Sequence, residues 1–135
     1  MTIFDSNVWI AFLHESDSQR KKAEKIFRDQ KESVFVPEYV IVEVTSVLLQ
    51  KAGKERANTF LEMVMHSNDV EVLFANEEFF LEVVKFVKKR PEKKLSFVDF
   101  SLLHLSASYE LITFDKNLQK AVRLVPLQLN YLPPR

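Results

Sequence analysis

The chain has no cysteine and a single glycine. Without thiols there is no disulfide, no thiolate nucleophile and no cysteine-ligated zinc site. With Gly53 as the lone glycine, neither a GxGxxG dinucleotide turn nor a Walker phosphate loop can be built, so a nucleotide cofactor of either type is excluded. Net charge is lacking as well. Nineteen Lys and Arg balance nineteen Asp and Glu, which counts against a broad, non-specific nucleic-acid groove. No run approaches the roughly 20 apolar residues of a membrane span. The nearest, residues 34–49, is broken by Glu38 and Glu43. The start is not basic, and Asp5 cuts its apolar run short, so no secretory signal is expected. A reducing cytoplasm suits the composition.

What is present suits one globular domain over residues 1–135, with twelve Phe to fill a core. Short apolar strands are expected at Thr2–Phe4, Val34–Val36, Val70–Phe74 and Leu111–Phe114, with Leu124–Val125 as a candidate last strand and residues 126–135 as an extended tail. Helices are expected over Ser6–Leu13, Ser18–Lys31, Pro37–Lys51, Lys54–His66, the segment from Asn76 to about Lys89, Ser96–Tyr109, and from Asp115 to about Val122. The Pro37–Lys51 segment is rich in valine, which favours a strand. Its length, its opening Pro37 and the Gly53 beyond its end favour a helix. Ser96 and Asp99 have the spacing of a capping box. Strands alternating with helices imply an α/β fold with a parallel sheet covered on both faces. Two basic clusters stand out: Lys85, Lys88, Lys89, Arg90, Lys93 and Lys94, and Arg20, Lys21, Lys22 and Lys25. Solvated helix faces are the commonest use of such runs.

The carboxylates carry the chemistry. In a parallel sheet each helix starts near the carboxyl edge of the strands. Asp5 ends the first strand, Asp115 follows Leu111–Phe114, and Asp99 lies in the first turn of its helix. Glu43 lies about two turns into the Pro37 helix, roughly 9 Å from its start. All four can reach one edge. Taken singly, the aspartates suit caps and turns, whereas Glu43 suits no cap and needs a cation, a proton or a basic partner if buried. Four converging carboxylates repel unless a cation neutralises them. An oxygen-only donor set suits Mg²⁺ or Mn²⁺, and such an ion lowers the pKa of water and stabilises charge on a phosphodiester. His14, His66 and His104 have no matching nucleophile, and His104 in an apolar helix reads as a packing residue.

Phe4-Asp5-Ser6-Asn7, Val42-Glu43-Val44, Leu95-Ser96-Phe97-Val98-Asp99 and Ile112-Thr113-Phe114-Asp115-Lys116-Asn117, in this order, resemble the PIN domain, in particular the VapC-type toxin ribonucleases. The resemblance spans essentially the whole chain. It implies a three-layer α/β/α sandwich with a parallel sheet of about five strands. It also implies one or two Mg²⁺ or Mn²⁺ ions at Asp5, Asp99 and Asp115, with Glu43 completing the catalytic set. Ser6, Asn7, Thr113 and Asn117 would support the ions or the phosphate. Phe100 departs from the small residue usual after the third acid, which touches helix packing rather than a ligand. The implied activity is hydrolysis of RNA phosphodiesters as an endoribonuclease, with backbone contacts from one of the basic clusters. The implied partners are a cognate antitoxin protein, for which Trp9 and Phe12 are candidate contacts if exposed, and a second copy in a homodimer. Three rivals stand against this, one of them a plain α/β interaction module whose acids are only caps and which would not bind Mn²⁺ tightly at neutral pH. A haloacid-dehalogenase-type phosphatase needs a second acid two residues after the first, where Asn7 stands. A non-catalytic PIN-like scaffold that binds RNA or a partner would not need all four acids.

Overall fold

The computed structural model describes residues 1–126. Among these, four strands, β1 (Thr2–Phe4), β2 (Val34–Pro37), β3 (Val70–Leu73) and β4 (Glu110–Ile112), form one parallel sheet in the order β3-β2-β1-β4. Seven helices accompany them: α1 (Ser6–Leu13), α2 (Arg20–Asp29), α3 (Glu38–Lys51), α4 (Lys54–His66), α5 (Glu77–Lys89), α6 (Phe97–Leu105) and α7 (Lys116–Val122). The central strands β1 and β2 are buried along their whole length, whereas β3 and β4 at the edges are partly exposed. This is the burial expected of short strands covered on both faces.

Handedness fixes the layers. The path β1, β2, β3 runs one way across the sheet, and right-handed crossovers put α1–α4 on one face. From β3 the chain returns to the far edge to form β4, so α5 and α6 take the other face. The packing agrees: α1 lies on α2 and α3, and α3 on α4, while α5 lies on α6 and α6 on α7. The result is the three-layer sandwich. The first layer packs on an aromatic cluster, in which Trp9 meets Phe4, Phe27 and Phe60 at centroid separations of 5.8, 5.0 and 5.3 Å.

Helix α3 overrides its valine content because Val40, Val44 and Leu48, spaced four apart, are fully buried on one face. Pro37 ends β2 and serves as the N-cap of α3, one position earlier than a first-turn proline. Gly53 has φ 96°, and its N–H bonds to the Leu48 carbonyl at 2.8 Å, closing α3 before α4 begins. Helix α6 stops at Leu105, short of Tyr109. Residues Leu124–Val125 form a turn and bend after α7, not a strand, so the sheet has four strands among the described residues where about five were expected. The expected extended tail lies, after Pro126, outside the described residues. Trp9 is fully buried and unavailable to a partner, and half-buried Phe12 stacks on Phe27 at 4.1 Å.

Candidate active site

The chain leaves β1 toward β2 on one side, while β4 pairs with β1 on the other. The carboxyl ends of β1 and β4 therefore flank the switch point of the sheet, where open α/β folds bind ligands. The register pairs Phe4 with Ile112, and the Asp5 amide donates to the Ile112 carbonyl at 2.9 Å. The next residues, Asp5 and Thr113, thus stand side by side.

Asp5 is the N-cap of α1 and 4% exposed. Its Oδ1 accepts from the Ser6 amide at 2.6 Å and its Oδ2 from the Thr113 hydroxyl at 2.7 Å. Thr113, also buried, is the hub of the site. Its hydroxyl oxygen accepts from Asn7 Nδ2 at 3.2 Å and from the Asp115 amide at 3.0 Å, while Gln119 Nε2 donates to its carbonyl at 2.6 Å. Asn7 closes the circuit by accepting from the Phe114 amide through Oδ1 at 3.2 Å. This network locks the ends of β1 and β4 together and fixes the Asp5 rotamer.

The other acids arrive by separate routes. Asp99 is half-buried in the first turn of α6, its Oδ2 accepting from the Ser96 amide at 3.0 Å in a reciprocal capping box. Asp115 caps α7 through Oδ1, which accepts from the Asn117 and Leu118 amides at 2.8 and 3.2 Å. Glu43 is half-buried on α3 between exposed Val42 and buried Val44, so it sits at the rim of the core rather than inside it. It makes no hydrogen bond or ion pair among the described residues. Ser6 is buried and Asn117 exposed.

Electrostatics tie Asp99 and Glu43 to Asp5. The Asp5 carboxyl stands at about 6 instead of 3.8, chiefly because it is buried. The bonds from Thr113 and Ser6 act downward within that balance, and the charges of Asp99 and Glu43 act upward. Asp5 thus senses both Asp99 and Glu43, while Asp115 connects to Asp5 through Thr113. Among the described residues no three Asp, Glu or His side chains stand close enough to hold one ion as they are placed.

The donor chemistry nonetheless fits a hard divalent cation. Asp99 and Asp115 each spend one oxygen on a cap and keep the other free, so capping and ligation do not compete. The buried Ser6 hydroxyl beside Asp5 has no hydrogen-bond partner among the described residues, which leaves one polar atom at the site awaiting a ligand, water or phosphate. A cation at this position would offset the charges of Asp99 and Glu43 that act on the buried Asp5 carboxylate. Sequence reading singled out the acids, Ser6, Asn7 and Thr113, but not Gln119, whose role depends on α7 folding back over Thr113 and has no local signature.

The family model of the PIN domain matches residues 2–124. Among solved structures, the chain is similar to Mycobacterium tuberculosis VapC20, a sarcin–ricin loop cleaving toxin. The TM-score is 0.80 at 18% identity, and the match covers 90% of this chain and 95% of that one. A search of curated proteins by sequence finds no match.

Proposed function

The chain belongs to the PIN-domain family, and from that premise we propose that it is a Mg²⁺- or Mn²⁺-dependent endoribonuclease, the toxin of a toxin–antitoxin pair. The observation that carries the reading is the buried Asp5 at the sheet's switch point, its carboxyl raised to about 6 with the charges of Asp99 and Glu43 acting on it. A structural cap has no need of two further carboxylates nearby, whereas a cation site does. The fold likeness to a toxin that cleaves RNA supports the substrate class and the biological role. In that role an antitoxin protein and a second copy of the chain are the proposed partners.

In this reading Asp5 and Asp99 hold the ion, and Glu43 and Asp115 complete and orient the cluster. A bound Mg²⁺ or Mn²⁺ supplies positive charge that lowers the pKa of water and stabilises the phosphodiester as it breaks. The chain's own residues do the rest. Thr113 and the Ser6 amide keep Asp5 ionised and aimed, because both bonds favour the charged carboxylate. The Ser96 capping box fixes the backbone from which Asp99 projects. In this reading the Ser6 hydroxyl, which has no partner among the described residues, and the second N–H of the Asn7 side chain would bond water or a phosphate oxygen.

The test is cleavage of total cellular RNA by wild type and Asp5→Asn with Mn²⁺, with Mg²⁺ and with EDTA. Discrete fragments that need the metal and disappear in Asp5→Asn support the reading, and their ends identify the substrate. No cleavage together with no Mn²⁺ binding leaves a PIN-fold scaffold that binds RNA or a partner without cutting.

A further inference from the structure

We propose that the cleft between residues 92–95 and α7 is the track along which the backbone of a single-stranded RNA runs into the acidic site, an inference that rests on the ribonuclease reading above. The cleft encloses about 570 Å³. One wall brings Lys93 and Lys94, and the other brings Lys120 and Arg123. All four are exposed, and none has an ion-pair partner among the described residues. The single acid in the lining, Glu92, is neutralised by Arg90, whose guanidinium donates to its two oxygens at 3.0 and 2.7 Å. The cleft is therefore strongly cationic in a protein whose formal net charge is zero.

Its floor is apolar, formed by Leu95, Ala121 and Leu124. Asn117, Lys120, Ala121 and Leu124 are spaced as one helical face, so α7 and the turn after it present alternating charge and apolar surface to the same space. A polyanion with flat bases matches such a lining, its phosphates on the cations and its bases or riboses on the apolar floor.

Both walls lead directly into the site. Leu95 precedes Ser96, the residue that caps Asp99, and Asn117 bonds its amide to Asp115 Oδ1 at 2.8 Å. A strand lying in the cleft thus arrives between two of the four acids. The other basic cluster, on α2, is less suited. Arg20 and Lys25 there are paired with Glu24 and Asp29, and α2 belongs to the opposite helical layer.

The test uses binding, so that it does not depend on catalysis. A fluorescent oligouridylate is titrated in EDTA at increasing KCl against wild type, a cleft variant (Lys93→Gln, Lys94→Gln, Lys120→Gln, Arg123→Gln) and an equal-charge control on α2 (Lys21→Gln, Lys22→Gln, Lys25→Gln, Arg28→Gln). Four lost phosphate contacts lower the slope of log affinity against log salt by about 3, so the cleft variant's deficit shrinks about 50-fold between 50 and 200 mM salt. The control keeps the wild-type slope. Single Lys93→Gln and Lys120→Gln variants each lower the slope by about 0.7, and thermal melting checks that all variants are folded. A cleft variant with wild-type affinity and slope, or an equal loss in the α2 control, overturns the track. If wild type still cleaves RNA in that case, the ribonuclease reading survives without it. A wild type that neither binds nor cleaves RNA removes both.

Discussion

Replacing Asp5 with Asn should make the metal-free protein relatively more stable as the pH rises. In the folded chain the Asp5 carboxyl titrates at about 6, against 3.8 for an unperturbed group. Between those values the folded state holds a proton that the unfolded state has released. Wild-type stability therefore falls as the pH rises through this window, and above it the full cost of the buried charge is present. Two units correspond to about 3 kcal/mol, of which about 2 kcal/mol falls between pH 4.5 and pH 7.5. Asn carries no charge and contributes no such slope. It does put an amide against a Thr113 hydroxyl that already accepts from Asn7 and Asp115, but that cost does not vary with pH and cancels when the difference between the two proteins is followed. Urea unfolding of both proteins in EDTA across this range measures it. Against a typical total of about 5–15 kcal/mol, a change of about 2 is readily resolved. Added Mn²⁺ at pH 7.5 should stabilise wild type and not the variant, because only wild type keeps the charge a cation relieves. Parallel stability curves for the two proteins would refute the placement of a strained carboxylate at this position.

Three further outcomes follow from the same geometry. Thr113→Val removes the donor to Asp5 Oδ2 and the acceptor for Asn7 and Asp115; it should cost about 2 kcal/mol in urea unfolding and move the pH midpoint of Mn²⁺ binding upward, with Thr113→Ser recovering most of both. Ser96→Ala should cost about 1 kcal/mol of stability and reduce kcat for RNA cleavage more than it raises KM, since Asp99 loses its fixed backbone. Gly53→Ala should cost about 1–2 kcal/mol through its φ of 96° alone, because nothing lies within 4 Å of the added methyl, and it should leave RNA cleavage unchanged.

The parts of the fold legible in the sequence were those set by local chemistry. Asn76, Ser96 and Asp115 announce helix starts because their side chains accept from amides two or three residues on, and each does so here. The helix at Glu38–Lys51 was readable despite its valines because length and end signals outweigh β-propensity. Leu124–Val125 was misleading, since an apolar pair beside a proline looks the same in a strand and in the turn closing a short helix. The exposure of Glu43 is not legible in the sequence, which shows apolar neighbours but not that Val42 faces solvent at 61% exposure. The bonding of Asp5 to Thr113 joins residues 108 positions apart and depends on strand order and register, which no local pattern encodes. The same holds for the cationic cleft. Lys93 and Lys94 belong to a visible cluster, whereas Lys120 and Arg123 join them only once α7 packs beside that loop.

Titration of Mn²⁺ followed by electron paramagnetic resonance, at neutral pH, for wild type and for Asp5→Asn and Asp99→Asn, tests the central claim most directly. The account predicts saturable loss of the free-ion signal with wild type, at a stoichiometry of one or two ions per chain, and its loss or severe weakening in both folded variants. Equal Mn²⁺ binding by all three proteins, or none by wild type, would contradict a cation site built from the carboxylates at the ends of β1 and α6's first turn.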